Sequence, residues 1–448
     1  MQFDFLFPPK HFRALLCLAA ALIVGCGALR PAQAQQFSNF DRDRGKVMLN
    51  QIRNDLRSNY YDPNFHGMDV EARFKAAEDR IKQATSNNQI FGIIAQLLAD
   101  LHDSHTFFIP PSRAVTIEYG WKMQAIGDAC IVTAIKPGSD AEAKGLKVGD
   151  TVLAMDNYQP TRENLWVLDY LYYSLKPQAG MHVAVQSPGA GPREFDIMAN
   201  VKQVRRVQDL TNGSDIWDVI REAQNEDRLY RQRYIEAGDD LMIWKMPQFD
   251  MDRNEVDNFM NKVRKHKALI LDLRGNGGGA EETLLRLLGN FFDHDIKIGD
   301  VKRRRDTKPL VAKTRGSDIF KGQIVVLIDS QSGSASELFA RVIQLEHRGT
   351  VIGDHSAGAV MQSRQYSHQV GGMEVVAFYG VSITEADLIM TDGKSLENVG
   401  VTPDELLLPT PADLAAQRDP VLAHAAELVG VKLDPARAGA FFPVEWRR

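Results

Sequence analysis

Residues 324–337 read Ile324-Val325-Val326-Leu327-Ile328-Asp329-Ser330-Gln331-Ser332-Gly333-Ser334-Ala335-Ser336-Glu337, and Leu338, Phe339, Val342 and Ile343 follow at helical spacing. The apolar run suits a strand buried on both faces of an α/β sheet, and the recurrence after the turn suits a helix packed on it. The pattern predicts strand, turn, helix, with Ser334 at the helix start. Backbone N–H groups are unpaired there and the helix dipole favours negative charge. A serine in that position can attack a carbonyl while the Ala335 N–H stabilises the oxyanion that forms. Serine is also a common N-cap, so the motif alone admits a purely structural role.

At the other end of the chain, Lys10 and Arg13 precede the apolar run Leu15 to Val24, too short to span a bilayer and suited to the core of a signal peptide. Cleavage after Ala32-Gln33-Ala34 defines a leader over 1–34 and an exported protein, in a periplasm or cell envelope. Ile23-Val24-Gly25-Cys26 resembles a lipobox, so the alternative is a lipoprotein anchored through Cys26. With Cys17 and Cys26 in this segment, Cys130 is left alone and no intrachain disulfide is expected. The 448 residues, 44% hydrophobic and 25% charged, are enough for two or three domains. A net charge of −5 from interleaved acids and bases gives no sign of nucleic-acid binding. The basic run Lys302-Arg303-Arg304-Arg305 reads as a solvated loop beside Asp300 and Asp306 rather than as a dock for acidic partners. No metal-ligand spacing is present and no cofactor is expected.

Ala268 to Leu273 reads as a second buried strand, and it runs into Asp272-Leu273-Arg274-Gly275-Asn276-Gly277-Gly278-Gly279-Ala280. Gly275, Gly277 and Ala280 satisfy a dinucleotide fingerprint, with Asp293 at a plausible distance for a ribose. The charged Asp-Leu-Arg at the strand end weighs against that reading, as does export. Backbone N–H groups at such a turn serve equally as oxyanion donors, and only glycine lets a substrate carbonyl approach so closely.

Working outward, helical periodicity covers Arg42 to Leu101 and ends in the polar turn His102-Asp103-Ser104-His105. Short β-type runs at 130–135, 151–155 and 182–185 follow between glycine and proline turns. The Arg-rich stretch Val204 to Gly238 reads as a connector or helical hinge. A strand at Leu241 to Lys245, a helix at Val256 to Val263 and an Ala-rich helical tail beyond Pro409 complete the pattern.

The stretch from Ile131 to Ser139 and then Ala143-Lys144-Gly145-Leu146-Lys147-Val148-Gly149-Asp150 resembles a bacterial PDZ domain. The resemblance implies a groove for a ligand's C-terminal strand, with Tyr119, Gly120, Trp121 and Lys122 as the loop that receives its carboxylate. The alternative is a PDZ-like module that only packs on and gates the catalytic domain. The glycine turn and the Ser-Ala-Ser-Glu motif, in this order, resemble the serine peptidase family of carboxy-terminal processing proteases, the tricorn core protease and the interphotoreceptor retinoid-binding repeats. That resemblance implies a multidomain α/β protein. Its parts are a helical domain over 38–113, an inserted PDZ-like domain over 114–202, a crotonase-like catalytic domain over 203–409 and a C-terminal helical extension over 410–448.

It further implies Ser334 as nucleophile and the backbone of Gly278 and Ala335 as oxyanion hole. Processing proteases place a lysine base where this chain has Ala359, which excludes a Ser-Lys dyad here. The tricorn-like branch instead takes Ser-His from the segment before the PDZ and Glu from a late E-N-x-G-V-x-P-D motif. Ser104-His105 and Glu397-Asn398-Val399-Gly400-Val401-Thr402-Pro403-Asp404 match these. His105 is then the general base and Glu397 orients it through Ser104. His355, close to the nucleophile helix in sequence, is a decoy or a substrate contact. The implied activity is endoproteolysis of exported or cell-envelope proteins or peptides, captured through a free C-terminus. Two rivals share the scaffold, an inactive binder of hydrophobic ligands or peptides and a crotonase-like acyl-CoA enzyme. Nothing in the sequence specifies an oligomeric state.

Overall fold

The computed structural model describes residues 37–113, 115–203, 228–371 and 376–446. The leader expected at 1–34, with Cys17 and Cys26, and most of the connector expected at 204–238 lie outside the described residues.

Three helices open the described chain, α1 (Asn39–Asn59), α2 (Val70–Lys82) and α3 (Asn87–Ala99). Each starts on a side chain that accepts a first-turn N–H: Ser38, Asp69 and Ser86. Their apolar stripes bury Leu49, Ile52, Leu56, Phe74, Ile81, Ile94 and Leu98 in one cluster. The same cluster takes in Phe108, Tyr379, Val381 and Ile383 from outside the helices. The chain then enters β1 (Phe107–Ile109), which pairs antiparallel with a strand from the far end of the molecule, Phe108 opposite Val381. The residues just before β1, Ser104 and His105, are thereby fixed against a distant part of the chain.

The β-rich segment follows. Strands β2 (Val115–Glu118) and β8 (Asn200–Gln203) pair at its base. Between them lies a five-stranded antiparallel sheet in sequential order: β3 (Trp121–Ile126), β4 (Ala129–Ile135), β5 (Thr151–Met155), β6 (Gly180–Gln186) and β7 (Pro192–Met198). Helix α4 (Leu165–Asp169) continues as a π-helical turn to Leu175, and Leu165, Leu168 and Tyr172 close the core over Trp121, Val132, Val152 and Val183.

The central sheet runs parallel through β10 (Leu241–Lys245), β11 (Ala268–Asp272), β14 (Gln323–Ile328), β15 (Thr350–Gly353) and β18 (Glu405–Leu406). Side chains alternate across a strand. Leu269 and Leu271 thus face one layer, with Met260, Leu287 and Phe339 from α5 (Arg253–Val263), α6 (Glu281–Leu288) and α7 (Ala335–Leu345). Ile270 faces the other, with Leu422, Ala425 and Ala426 of the Ala-rich tail. The tail is therefore the second layer of this sheet. A further sheet, in the order β1, β17 (Val376–Met390), β12 (Ile296–Arg303), β13 (Thr307–Ala312) with β16 (Met361–Gly371) on β17, was not anticipated from the sequence.

Two sequence expectations change. Arg233–Ala237, read as part of a connector or hinge, is β9 and pairs antiparallel with β10 at the sheet edge. The basic run is divided by its partners: Arg303 at the end of β12 donates to Gln362 Oε1, while Arg304 donates to the Tyr60 carbonyl.

Candidate active site

Ser334 stands where β14 hands over to α7, with φ 52° and ψ −117°. A non-glycine residue there costs about 1–3 kcal/mol, so the surroundings must impose it. They do so through two acceptors for the Ser334 N–H, the Ala359 carbonyl and Glu337 Oε2, each at 2.9 Å. The turn is stitched to the glycine turn on its other side. Gly333 N–H donates to the Asn276 carbonyl at 2.9 Å, Ser336 Oγ donates to the same carbonyl at 2.8 Å and Ser332 Oγ donates to that of Leu273 at 2.9 Å. Gly278 has φ 103°, and a Cβ there would lie 2.6 Å from that of Ser334. Glycine is required at this approach.

The two expected oxyanion donors differ. Among the described residues Ala335 N–H, in the first turn of α7, has no hydrogen-bond partner. Gly278 N–H instead donates to Asn276 Oδ1 at 2.9 Å, so Asn276 must yield before Gly278 can serve an incoming oxyanion.

His105 reaches the same place from the turn before β1. Asp103, only 5% exposed, shapes that turn. Its Oδ1 accepts from His105 N–H at 2.9 Å, Thr106 N–H at 3.1 Å and Thr384 Oγ at 2.6 Å, and its Oδ2 accepts from the Tyr60 hydroxyl at 3.0 Å. Ser104 Oγ lies 2.7 Å from His105 Nδ1 and donates to Glu397 Oε2 at 2.9 Å. Ser104 N–H donates to Glu397 Oε1 at 2.8 Å and Val360 N–H to Oε2 at 2.9 Å. The single Ser104 hydroxyl proton is committed to the carboxylate, so Nδ1 must be the donor to Ser104 Oγ. Neutral His105 then has its lone pair on Nε2.

His105 and Ser334 both line a cavity of about 830 Å³, together with Gly278, Ala335, Leu284, Leu338, Met361 and Leu388. No hydrogen bond joins His105 to Ser334 Oγ among the described residues, a looseness common in unliganded sites. Burial pulls the His105 pKa below its ordinary 6.5, with Asp103 opposing. Burial pushes the Glu397 carboxyl up, against the hydrogen bonds from Ser104 and Val360 that favour its charge.

Other sequence candidates fall elsewhere. Ala359 does sit beside Ser334, through its carbonyl. His355 points its backbone at Arg162 and is not among the residues around this cavity. Asp293 is exposed and paired with His294, and Glu281 and Glu282 open the helix after the glycine turn, an unfavourable setting for a pyrophosphate. Tyr119 and Trp121 are buried in the β-rich core, with the Tyr119 hydroxyl donating to the Gln178 carbonyl. Lys122 of the expected carboxylate loop borders a second cavity, of about 520 Å³. Asp103 was missed as a functional residue. The cue was present, since an Asp two residues before the histidine is an Asx-turn signature.

A family model described as peptidase family S41 matches residues 241–407, the stretch carrying Ser334, the glycine turn and Glu397. Residues 241–407 thus match as an S41 peptidase domain. The tail-specific protease of Haemophilus influenzae is 28% identical over 312 residues, which cover 65% of this chain and 42% of that protein. The chain therefore spans less than half the length of that relative. A carboxyl-terminal-processing protease of a Picosynechococcus species is 22% identical over 346 residues, 74% of this chain and 76% of that one. Among solved structures, mature CPAF superposes with a TM-score of 0.63 at 16% identity, over 84% of this chain and 94% of its own.

Two outcomes follow for the S41 site. If His105 is the base, a pKa lowered by burial means that it needs no alkaline activation. Hydrolysis measured as kcat/KM should rise as His105 loses its proton and be level by about pH 8, whereas an amine base would still be gaining above about pH 9. A profile climbing between those values would remove His105 from the role. Glu397→Gln sets an amide among three donors, and kcat/KM should drop by about 100-fold or more with the fold retained. Wild-type kinetics in that variant would dismiss the Ser104 link.

Proposed function

We propose that this chain is a serine endopeptidase of exported or cell-envelope proteins, working through an acyl-enzyme on Ser334. The observation that carries the proposal is the shared cavity of Ser334 and His105, with a hydrogen-bond relay that leaves Nε2 as the free base. In the reaction His105 Nε2 takes the Ser334 proton as Oγ attacks the scissile carbonyl. The oxyanion is met by the unpaired Ala335 N–H and by Gly278 once Asn276 releases it. His105 then protonates the leaving amine, and water repeats the sequence on the ester. Glu397 and Ser104 hold the imidazole in its tautomer and favour the imidazolium that forms. The apolar wall of Leu284, Leu338, Met361 and Leu388 suits a hydrophobic side chain next to the cut. That wall would equally suit a hydrophobic ligand in an inactive binder, the one rival that a specific observation favours.

The decisive experiment is fluorophosphonate labelling of purified protein together with peptide hydrolysis. Ser334→Ala should abolish both, while Ser332→Ala and Ser336→Ala keep substantial labelling. Labelling that persists in Ser334→Ala identifies another nucleophile, and none in wild type favours the binder.

The finer reading is a crotonase-like catalytic domain carrying a PDZ-like insert that captures substrate C-termini. The second cavity supports it, being bordered by Lys122 and Gln124 of β3 and sharing Tyr230, Pro247 and Gly275 with the cavity of Ser334. β3 is an edge strand, as strand addition requires. Because Tyr119 and Trp121 are buried, Lys122 is the residue of that loop expected to meet a carboxylate. A peptide with a free C-terminus should be cut faster than its amide, and Lys122→Ala should erase the difference while Ser334 still labels. Equal cleavage of acid and amide by wild type would reduce the insert to a spacer.

A further inference from the structure

We propose that Glu337 is a positioning residue for hydrolysis, setting the place of Ser334 relative to the strip of chain that holds Glu397. The proposal rests on Ser334 being the nucleophile. Glu337 occupies the third position of α7 and is fully buried. As an N-terminal cap it would need only one oxygen, the one on Ser334 N–H. It has a second use. Oε1 accepts from Ser356 Oγ at 2.6 Å and from Gly358 N–H at 2.7 Å, while Oε2 accepts from Ala359 N–H at 3.0 Å as well as from Ser334.

Four donors thus converge on one carboxylate, and among the described residues it has no cationic partner. Burial pushes its pKa up to about 7, opposed by these hydrogen bonds. A buried carboxylate held this way is costly wherever a neutral side chain would pack as well. What a neutral isostere cannot supply here is two accepting oxygens. Glutamine would turn an NH₂ group toward two N–H or O–H donors.

The strip that Glu337 grips, Ser356 to Ala359, leads directly to Val360, whose N–H holds Glu397 Oε2. Asn398 N–H returns to the Gly358 carbonyl at 2.8 Å, and Ser356 Oγ accepts from Val401 N–H at 2.6 Å. One carboxylate therefore fixes both the strained backbone of Ser334 and the segment from which the His105 relay hangs. Displacing either by a fraction of an ångström separates Ser334 Oγ from Nε2.

The test compares Glu337→Gln and Ser356→Ala with wild type, measured as kcat per active site titrated with a fluorophosphonate, and follows labelling of Ser334→Ala alongside. Glu337→Gln should lose about 30- to 100-fold in kcat per titrated site with KM within about threefold, since the cavity wall is untouched. Ser356→Ala, which removes one donor, should lose about fivefold by the same measure. A wild-type kcat per site in Glu337→Gln, with the loss confined to the number of titratable sites, would make Glu337 a folding residue only and overturn the proposal. Should Glu337→Gln fail to fold, an unchanged kcat in Ser356→Ala overturns it instead. Ser334→Ala separates the two levels. Persistent labelling there sinks the nucleophile and this inference together, whereas silence there with an unaffected Glu337→Gln sinks this inference alone.

Discussion

The Glu397 carboxylate is the point where three distant segments meet. It accepts from Ser104 N–H and Oγ, which arrive with the N-terminal helices, and from Val360 N–H, which lies beyond α7. Direction is imposed along the whole relay by the fact that a carboxylate only accepts. The Ser104 hydroxyl must donate to it, Nδ1 must donate to Ser104, and the lone pair is left on Nε2. A hydroxyl interposed between acid and imidazole therefore fixes the tautomer as a direct contact would. It also keeps the negative charge one group further from the ring, which suits a histidine whose pKa is lowered by burial rather than raised by a contacting carboxylate.

The strain at Ser334 is borne by hydrogen bonds rather than by packing alone. Its N–H is shared between Ala359 and Glu337, and the neighbouring serines are bonded into the glycine turn. Beneath that turn Asp272 is fully buried. Burial alone would raise its pKa, but Arg274 and Lys245 outweigh it and hold the carboxylate charged. Arg274 reaches on to Asp419, the N-cap of the tail helix Pro420–Leu428, so the layer behind the sheet is tied to the turn in front of it. Removing one partner from such a set would strand a buried charge, which is why the charged Asp-Leu-Arg sits at the end of an otherwise apolar strand.

Part of this was legible in the sequence. The strand–turn–helix pattern placed Ser334 at a helix start, while Ser104, His105, Glu397 and the absence of a lysine at Ala359 were implied by the family resemblance, since a lone histidine or glutamate in a turn carries no such signal by itself. What escaped notice is set by contacts between remote segments. The pairing of β1 with β17 joins residues whose separation no local pattern encodes. Arg233–Ala237 reads as polar because an edge strand leaves half its side chains in water. Tyr119 and Trp121 look like loop residues yet fill the core of a small sheet. Glu337 is indistinguishable in sequence from an ordinary capping-box glutamate, since only the fold brings Ser356 to Ala359 against its second oxygen.

The β-rich segment touches the S41 domain at the two places that frame Ser334. Ahead of the Ser334 turn, Gln124 Nε2 donates to Asp329 Oδ2 at 2.6 Å and Ser330 Oγ to the Ala125 carbonyl at 2.5 Å. Behind it, Arg162 and Gly127 N–H both reach Asp354 Oδ2, at 2.5 Å and 2.9 Å, and Arg162 also donates to the His355 carbonyl. Asp354 is 5% exposed, so its charge depends on these partners for compensation. The strip from Asp354 to Val360 is thus held at its start by the β-rich segment, in its middle by Glu337 and at its end by Glu397. A rigid-body shift of the segment would pull first on Asp354, and a strip gripped at three points transmits such a pull instead of absorbing it. Geometry at Ser334 and the placement of the β-rich segment are consequently parts of one mechanical unit, although the residues that make them lie far apart along the chain.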